Sequence, residues 1–160
     1  MELTHLDQNG GARMVDVGDK DISVRTARAE ATLVMRPETL QKILSSELKK
    51  GDALSAARIA GIMAAKRTFE LIPLCHNIPV EKAEISFDNN KENELYIRSF
   101  LKCSYKTGIE MEALTAVSVA ALTVYDMCKA VDRGMTVKEI KLLEKTGGKS
   151  DYQYEGPVRT

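Results

Sequence analysis

Between Ala113 and Val124 the chain carries no charged residue. The stretch lies within a longer run, Glu110 to about Asp132. There Met111, Leu114, Val117, Ala121, Val124, Cys128 and Val131 recur at spacings of three and four. That rhythm predicts one long helix, closed by Gly134. A helix that is apolar around most of its circumference has to be buried on more than one side. One small sheet does not do this alone, so the pattern points to an oligomer.

The remaining segments supply what packs on this helix. From Ile22 to Met35 apolar and polar residues alternate, with Ala27, Ala29, Ala31 and Leu33 on one side and Arg28, Glu30 and Thr32 on the other. That is the signature of a half-buried strand. Pro37 suits the first turn of a helix reaching about Ser46. Asp52 is a good N-cap for a second helix from Ala53 to about Phe69, rich in Ala and Gly and therefore able to pack close to its neighbour. Val80–Phe87 and Glu94–Cys103 alternate as strands around the turn cluster Asp88 to Asn93, forming a hairpin. A last strand covers Thr136 to Lys145. The order β-α-α-β-β-α-β predicts an α+β fold: a ferredoxin-like sandwich with an antiparallel sheet, helices on one face and one extra helix. The expected domain is 22–150, flanked by polar tails at 1–21 and 151–160.

Bulk numbers narrow the function. With 160 residues one domain with a genuine core is expected. Lys plus Arg and Asp plus Glu are 23 each, so any anion site must come from local clustering, and a nucleic-acid binder is disfavoured. The three cysteines, Cys75, Cys103 and Cys128, include no C-x-x-C pair, which disfavours a disulfide framework or structural zinc. The first residues lack an apolar signal core, and no stretch approaches the roughly 20 apolar residues that cross a bilayer. The expected setting is cytoplasmic, with no membrane partner.

Several residues could carry chemistry. Asp126 and Lys129 are three apart on the long helix and so are surface neighbours. They read either as an exposed ion pair or as an acid/base pair. A base role would need neighbours such as Lys145, Lys149 and Lys50, or burial, to lower the lysine pKa. Glu110 and Glu112 open the same helix, where carboxylates also simply complement the helix dipole. Glu112 and Asp126 differ by only about 40° around the axis but lie roughly 21 Å apart along it. One small pocket in a single chain could hardly use both, so a shared function would mix residues from two chains. Cys75-His76 sits in a loop after Pro73, where a histidine hydrogen-bonded to backbone is the commoner outcome. No ligand set for catalytic zinc can be named, so no metal site is expected. Gly148-Lys149-Ser150 ends like a P-loop, but Leu143 stands where its first glycine belongs and no helix pattern follows. Arg25, Arg28, Lys49, Lys50, Arg58, Lys66 and Arg67 are scattered through the first half; a few of them converging would bind a triphosphate.

Taken together, these segments resemble the cyclic pyranopterin monophosphate synthase family of molybdenum cofactor biosynthesis. The resemblance covers nearly the whole chain. Its most specific blocks are Leu71-Ile72-Pro73-Leu74-Cys75-His76, Lys106-Thr107-Gly108-Ile109-Glu110-Met111-Glu112-Ala113-Leu114-Thr115-Ala116, Tyr125-Asp126-Met127-Cys128-Lys129-Ala130-Val131 and Gly147-Gly148-Lys149-Ser150. It implies a lyase that rearranges 3',8-cyclo-7,8-dihydroguanosine 5'-triphosphate into cyclic pyranopterin monophosphate and releases diphosphate. It implies Asp126 as the active-site acid and Lys129 as general acid/base. Leu74, Cys75, His76, Met111 and Glu112 match substrate-binding blocks, and Lys50, Arg25, Lys66, Lys145 and Lys149 match basic positions that meet the triphosphate. No cofactor is required; a divalent cation such as magnesium is left open. The family forms a homohexamer, a trimer of dimers with sites at the dimer interface, between an upstream radical S-adenosylmethionine enzyme and downstream molybdopterin synthase. Two departures stand out: Asn77-Ile78 follows Cys75-His76 where the family has Pro-Leu, and Asp151 replaces the glycine after Ser150. The competing reading is a non-catalytic purine-nucleotide-binding regulatory module, since fold does not fix function.

Overall fold

The computed structural model describes residues 3–48 and 52–157. Its elements are β1 (Ser23–Val34), α1 (Pro37–Leu44), α2 (Ala53–Lys66), α3 (Thr68–Leu71), β2 (Lys82–Asn89), β3 (Glu94–Tyr105), α4 (Glu110–Cys128), β4 (Thr136–Thr146) and β5 (Tyr152–Gln153). All strand pairs are antiparallel and the sheet order is β2-β3-β1-β4-β5. Apart from β5 and the one-turn α3, this is the predicted sandwich, with α2 and α4 side by side on one face. The C-terminal segment contributes more than a tail: Tyr152 and Gln153 pair with Lys145 and Glu144.

Local chemistry explains the boundaries. Asp52 accepts from the backbone N–H groups of Leu54 and Ser55, each at 3.0 Å, and starts α2 as expected. Pro37 opens α1. Asn90 Oδ1 gathers the N–H groups of Glu92, Asn93 and Glu94 at 2.9 Å and closes the β2–β3 hairpin. α2 stops at Lys66, short of Phe69, because Arg67 leaves helical geometry (φ −119°, ψ 14°). The Thr68 hydroxyl then donates to the carbonyls of Ala64 and Ala65. α4 stops at Cys128, short of Asp132, whose carboxylate is held by Arg36 and Thr39.

The core is built from small residues. Ala27, Ala29 and Ala31 of β1, Ala57 of α2 and Ala113, Ala116 and Ala120 of α4 are fully buried. Gly61 lets the two helices approach: a Cβ there would sit 3.0 Å from the Ala116 carbonyl oxygen. α4 is long and apolar enough to cross a membrane by composition, but the sheet lies against one side of it and α2 against another. Most of its burial is therefore met within one chain. The exceptions among its large apolar residues are Leu122, 60% exposed, and Met111 in its first turn.

The far side of the sheet carries no helix among the described residues, yet Glu30 and Thr32 are buried there rather than half-exposed. Neighbouring side chains cover them. Arg98 meets the Glu30 carboxylate at 2.7 Å, Lys141 reaches it at 3.7 Å, and Thr32 faces Glu139. A buried carboxylate needs such partners.

Candidate functional site

The N-terminal turn of α4, the 72–78 loop and the chain before β1 enclose a cavity of about 340 Å³. Leu74, Cys75, His76, Met111 and Glu112 all line it. Ile78, one of the two departures after His76, is buried in the core and lines the same wall, so the altered loop remains packed. His76 Nε2 lies 2.7 Å from the Val15 carbonyl oxygen, which ties the N-terminal segment across the mouth.

Glu112 is the unusual group. It is 3% exposed, and its Oε2 has no hydrogen-bond partner among the described residues. Burial pushes its carboxyl up to about 7; its own backbone N–H works the other way, and the neighbouring Glu110 charge adds to the rise. At neutral pH it exchanges a proton readily, as a general acid or base must. Burial, and then the charges of Glu112 and Glu110, raise the Cys75 thiol. Burial foremost lifts Cys103 to about 11. Both are thiols rather than thiolates, so Cys75 is built to line the pocket and not to attack.

A second cavity, about 230 Å³, adjoins the first: Lys20, Thr107, Gly108 and Glu110 line both. Its remaining wall is basic, with Arg25, Lys106, Lys145 and Lys149. Lys145 donates to Glu110 at 2.6 Å, and Arg25 donates to the carbonyls of Tyr105 and Lys106. Gly147 permits this geometry, because at φ +86° an added Cβ would lie 1.9 Å from the Val24 carbonyl oxygen. Asp151, the second departure, accepts from the Gly147 N–H at 3.1 Å and so fastens the loop that carries Lys149.

Asp126 and Lys129 lie at the other end of α4, paired at 2.7 Å and exposed, beside a groove lined by Tyr125, Lys129, Ala130 and Arg133. The hydrogen bond from Lys129 to Asp126, and then the carboxylate's charge, raise the lysine pKa. In this chain Lys129 is thus held as an ammonium, the acid form. Just beyond, Asp132 is buried and accepts from the Arg36 and Gly134 N–H groups and the Thr39 hydroxyl, while the Arg36 guanidinium reaches both Asp132 and the Val131 carbonyl. This grip turns the chain out of the helix after Cys128.

One chain therefore gathers Leu74, Cys75, His76, Met111 and Glu112 with Arg25, Lys145 and Lys149. It leaves Asp126 and Lys129 about 21 Å away along the same helix. Lys66, exposed in the last turn of α2, lines none of these cavities, and Lys50 lies outside the described residues. Sequence reasoning gave no role to Lys20 or Lys106. Lys106 opens the Lys106–Ala116 segment that carries the resemblance; Lys20 carried no signal beyond its charge.

The sequence model of the MoaC family matches residues 14–148, a span that includes Leu74, Cys75, His76, Met111 and Glu112 of the first cavity and Arg25, Lys106 and Lys145 of the second, and stops one residue short of Lys149. The chain belongs to the MoaC family. It is 56% identical over 156 residues to the cyclic pyranopterin monophosphate synthase of Peptoclostridium acidaminophilum, covering 97% of this chain and 99% of that protein. The protein of that name in Chloroflexus aurantiacus (strain J-10-fl) is 56% identical over 154 residues, covering 95% and 94%. That of Thermomicrobium roseum is 57% identical over 150 residues, covering 93% and 90%. The family's match thus spans the whole of α4 and most of both cavities.

Proposed function

We infer that the chain is a lyase of molybdenum cofactor biosynthesis, converting 3',8-cyclo-7,8-dihydroguanosine 5'-triphosphate to cyclic pyranopterin monophosphate with release of diphosphate. The observation that carries this is the full-length match, at more than half identity, to proteins named for that product. The geometry supplies fitting chemistry. The first cavity takes the ring system, against Leu74, Cys75, His76, Met111 and Glu112. The second takes the triphosphate, against Arg25, Lys145 and Lys149, with Lys50 and Lys66 as further basic groups. Opening and reclosing the purine-derived ring needs protons moved at defined atoms. Closing the cyclic phosphate expels diphosphate, whose growing charge the ammonium and guanidinium groups stabilise.

In this reading Asp126 and Lys129 act as the acid/base pair on a substrate held mainly by another chain. The distance along α4 favours a dimer-interface site, and a hexamer built as a trimer of dimers would provide it. The setting is cytoplasmic, between a radical S-adenosylmethionine enzyme and molybdopterin synthase. No cofactor is needed on the protein. A divalent cation such as magnesium would enter with the triphosphate.

Purified protein given the cyclised triphosphate should release diphosphate. Lys129→Ala should slow that by about a hundredfold or more, the usual scale for losing a general acid or base. Turnover by Lys129→Ala at the parent rate would remove the assigned role. Tight binding of guanosine 5'-triphosphate by a protein that leaves the cyclised substrate intact would replace the enzyme by a regulatory module.

A further inference from the structure

The segment before β1 walls the first cavity through Val15, Val17 and Lys20. Residues 15–20 form a built strap. Val17 is buried, Asp16 Oδ1 accepts from the Gly18 N–H at 2.8 Å, and the Lys20 N–H donates to the Val17 carbonyl at 3.1 Å. The strap is pinned from the body of the protein at two points. His76 holds the Val15 carbonyl, and the Lys106 ammonium holds the Gly18 carbonyl. The turn that runs from Val17 past the second pin and closes at the Lys20 N–H places Lys20 where the two cavities meet, and it lines both.

The other cations of the basic cavity are mostly engaged. Lys145 is paired with Glu110, Lys106 with Gly18, and Arg25 with two carbonyls. Lys20 has no side-chain hydrogen bond or ion pair among the described residues. Glu110 is an acidic wall of both cavities, so a phosphate at the junction would be repelled unless a cation stands opposite it.

We propose that Lys20 is a phosphate-binding residue of this site, placed by the 15–20 strap to meet the phosphate nearest the sugar. The proposal rests on the two-cavity reading given above. A molecule with its ring in the first cavity and its phosphates in the second must pass Lys20, and the first phosphate of the chain is the one that crosses the junction. An ammonium there offers a charge-assisted contact that the cations farther along the basic wall do not supply at that point. Because ring closure of the phosphate occurs at that same phosphorus, Lys20 also touches the reacting group.

The test is calorimetric titration of the full chain with inorganic triphosphate and with guanosine 5'-triphosphate at fixed ionic strength, for the parent, Lys20→Gln and Lys20→Arg. Lys20→Gln should weaken both ligands by about tenfold or more, while Lys20→Arg, which keeps the charge, should stay within about threefold. Thermal unfolding of each variant shows that the fold is retained. With the cyclised substrate, Lys20→Gln should raise KM by a similar factor and lower kcat as well. Parent-like affinity and turnover in Lys20→Gln would overturn the proposal, as would a parent protein that binds neither phosphate ligand. Intact triphosphate binding that depends on Lys20, in a protein that fails to convert the cyclised substrate, would sink the lyase reading and leave Lys20 in place.

Discussion

Glu112 is a carboxyl group that sits 3% exposed with one oxygen unpartnered, and it must ionise against its surroundings as the pH rises. In the unfolded chain it ionises near 4.5, in the folded chain near 7. Between those values the folded state holds a proton that the unfolded state has released, so stability falls as pH rises through that window and is then level. Glu112→Gln removes the slope and should be more stable than the parent at pH 8 by up to roughly 3 kcal/mol, with little difference at pH 4.5. Urea unfolding at the two pH values checks this; identical pH slopes in parent and variant would contradict it. The sequence pointed to this residue only in part. Glu110 and Glu112 are equal as residues that complement a helix dipole, but two positions on a helix differ by about 200° around the axis. Only the packed structure decides that Glu112 turns inward while Glu110 pairs with Lys145. Lys20 was illegible for a related reason: its role comes from hydrogen bonds made by His76 and Lys106, far away in the chain.

At the level of elements, the end of α4 is decided by capture of a side chain. Periodicity through Val131 argued for a helix reaching Asp132, and no local rule contradicted it. Tertiary hydrogen bonds won, because Asp132 draws on Arg36 and Thr39 at the start of α1. Burial raises its carboxyl, but the N–H groups of Arg36 and Gly134, the Thr39 hydroxyl and the Arg36 guanidinium outweigh that and set it below the usual range. Its contribution is present above the ordinary carboxylate pKa and is lost as the pH falls through the lower folded-state value. Asp132→Ala should cost on the order of 2–3 kcal/mol at pH 7, because it strands the buried Thr39 hydroxyl and the half-buried N–H groups of Arg36 and Gly134. Chemical denaturation of the variant measures that loss, and a change under about 0.5 kcal/mol, the range of ordinary surface substitutions, would show that the grip is not needed. α2 ends on local hydrogen bonds instead. Its Ala and Gly content announced close packing, but the break at Arg67 depends on a threonine bonding back to two carbonyls, which spacing does not reveal.

For the whole molecule, alternating strands and two long helical patterns were enough to read the sandwich. A two-residue strand such as β5 is too short to leave a pattern of its own. The oligomer stands differently. The burial argument is largely met by α2 within one chain, so the case for shared sites rests on the length of α4 between Glu112 and Asp126. That case has its own test. Lys129→Ala and Glu112→Ala proteins, each inactive alone, should recover activity when unfolded together and reassembled, because about a quarter of the sites in a random two-fold mixture hold both parent residues. No recovery from the mixture would confine the site to one chain. The alanine seam where α4 meets β1 has a further consequence. Alanine has no rotamers to freeze, so this part of the interior orders the backbone at almost no side-chain entropy. A centre made of such residues has little left to trim and no slack to fill. Its tolerance is one-sided: truncation to glycine removes a single methyl, whereas any branched substitute has to push the helices off the sheet.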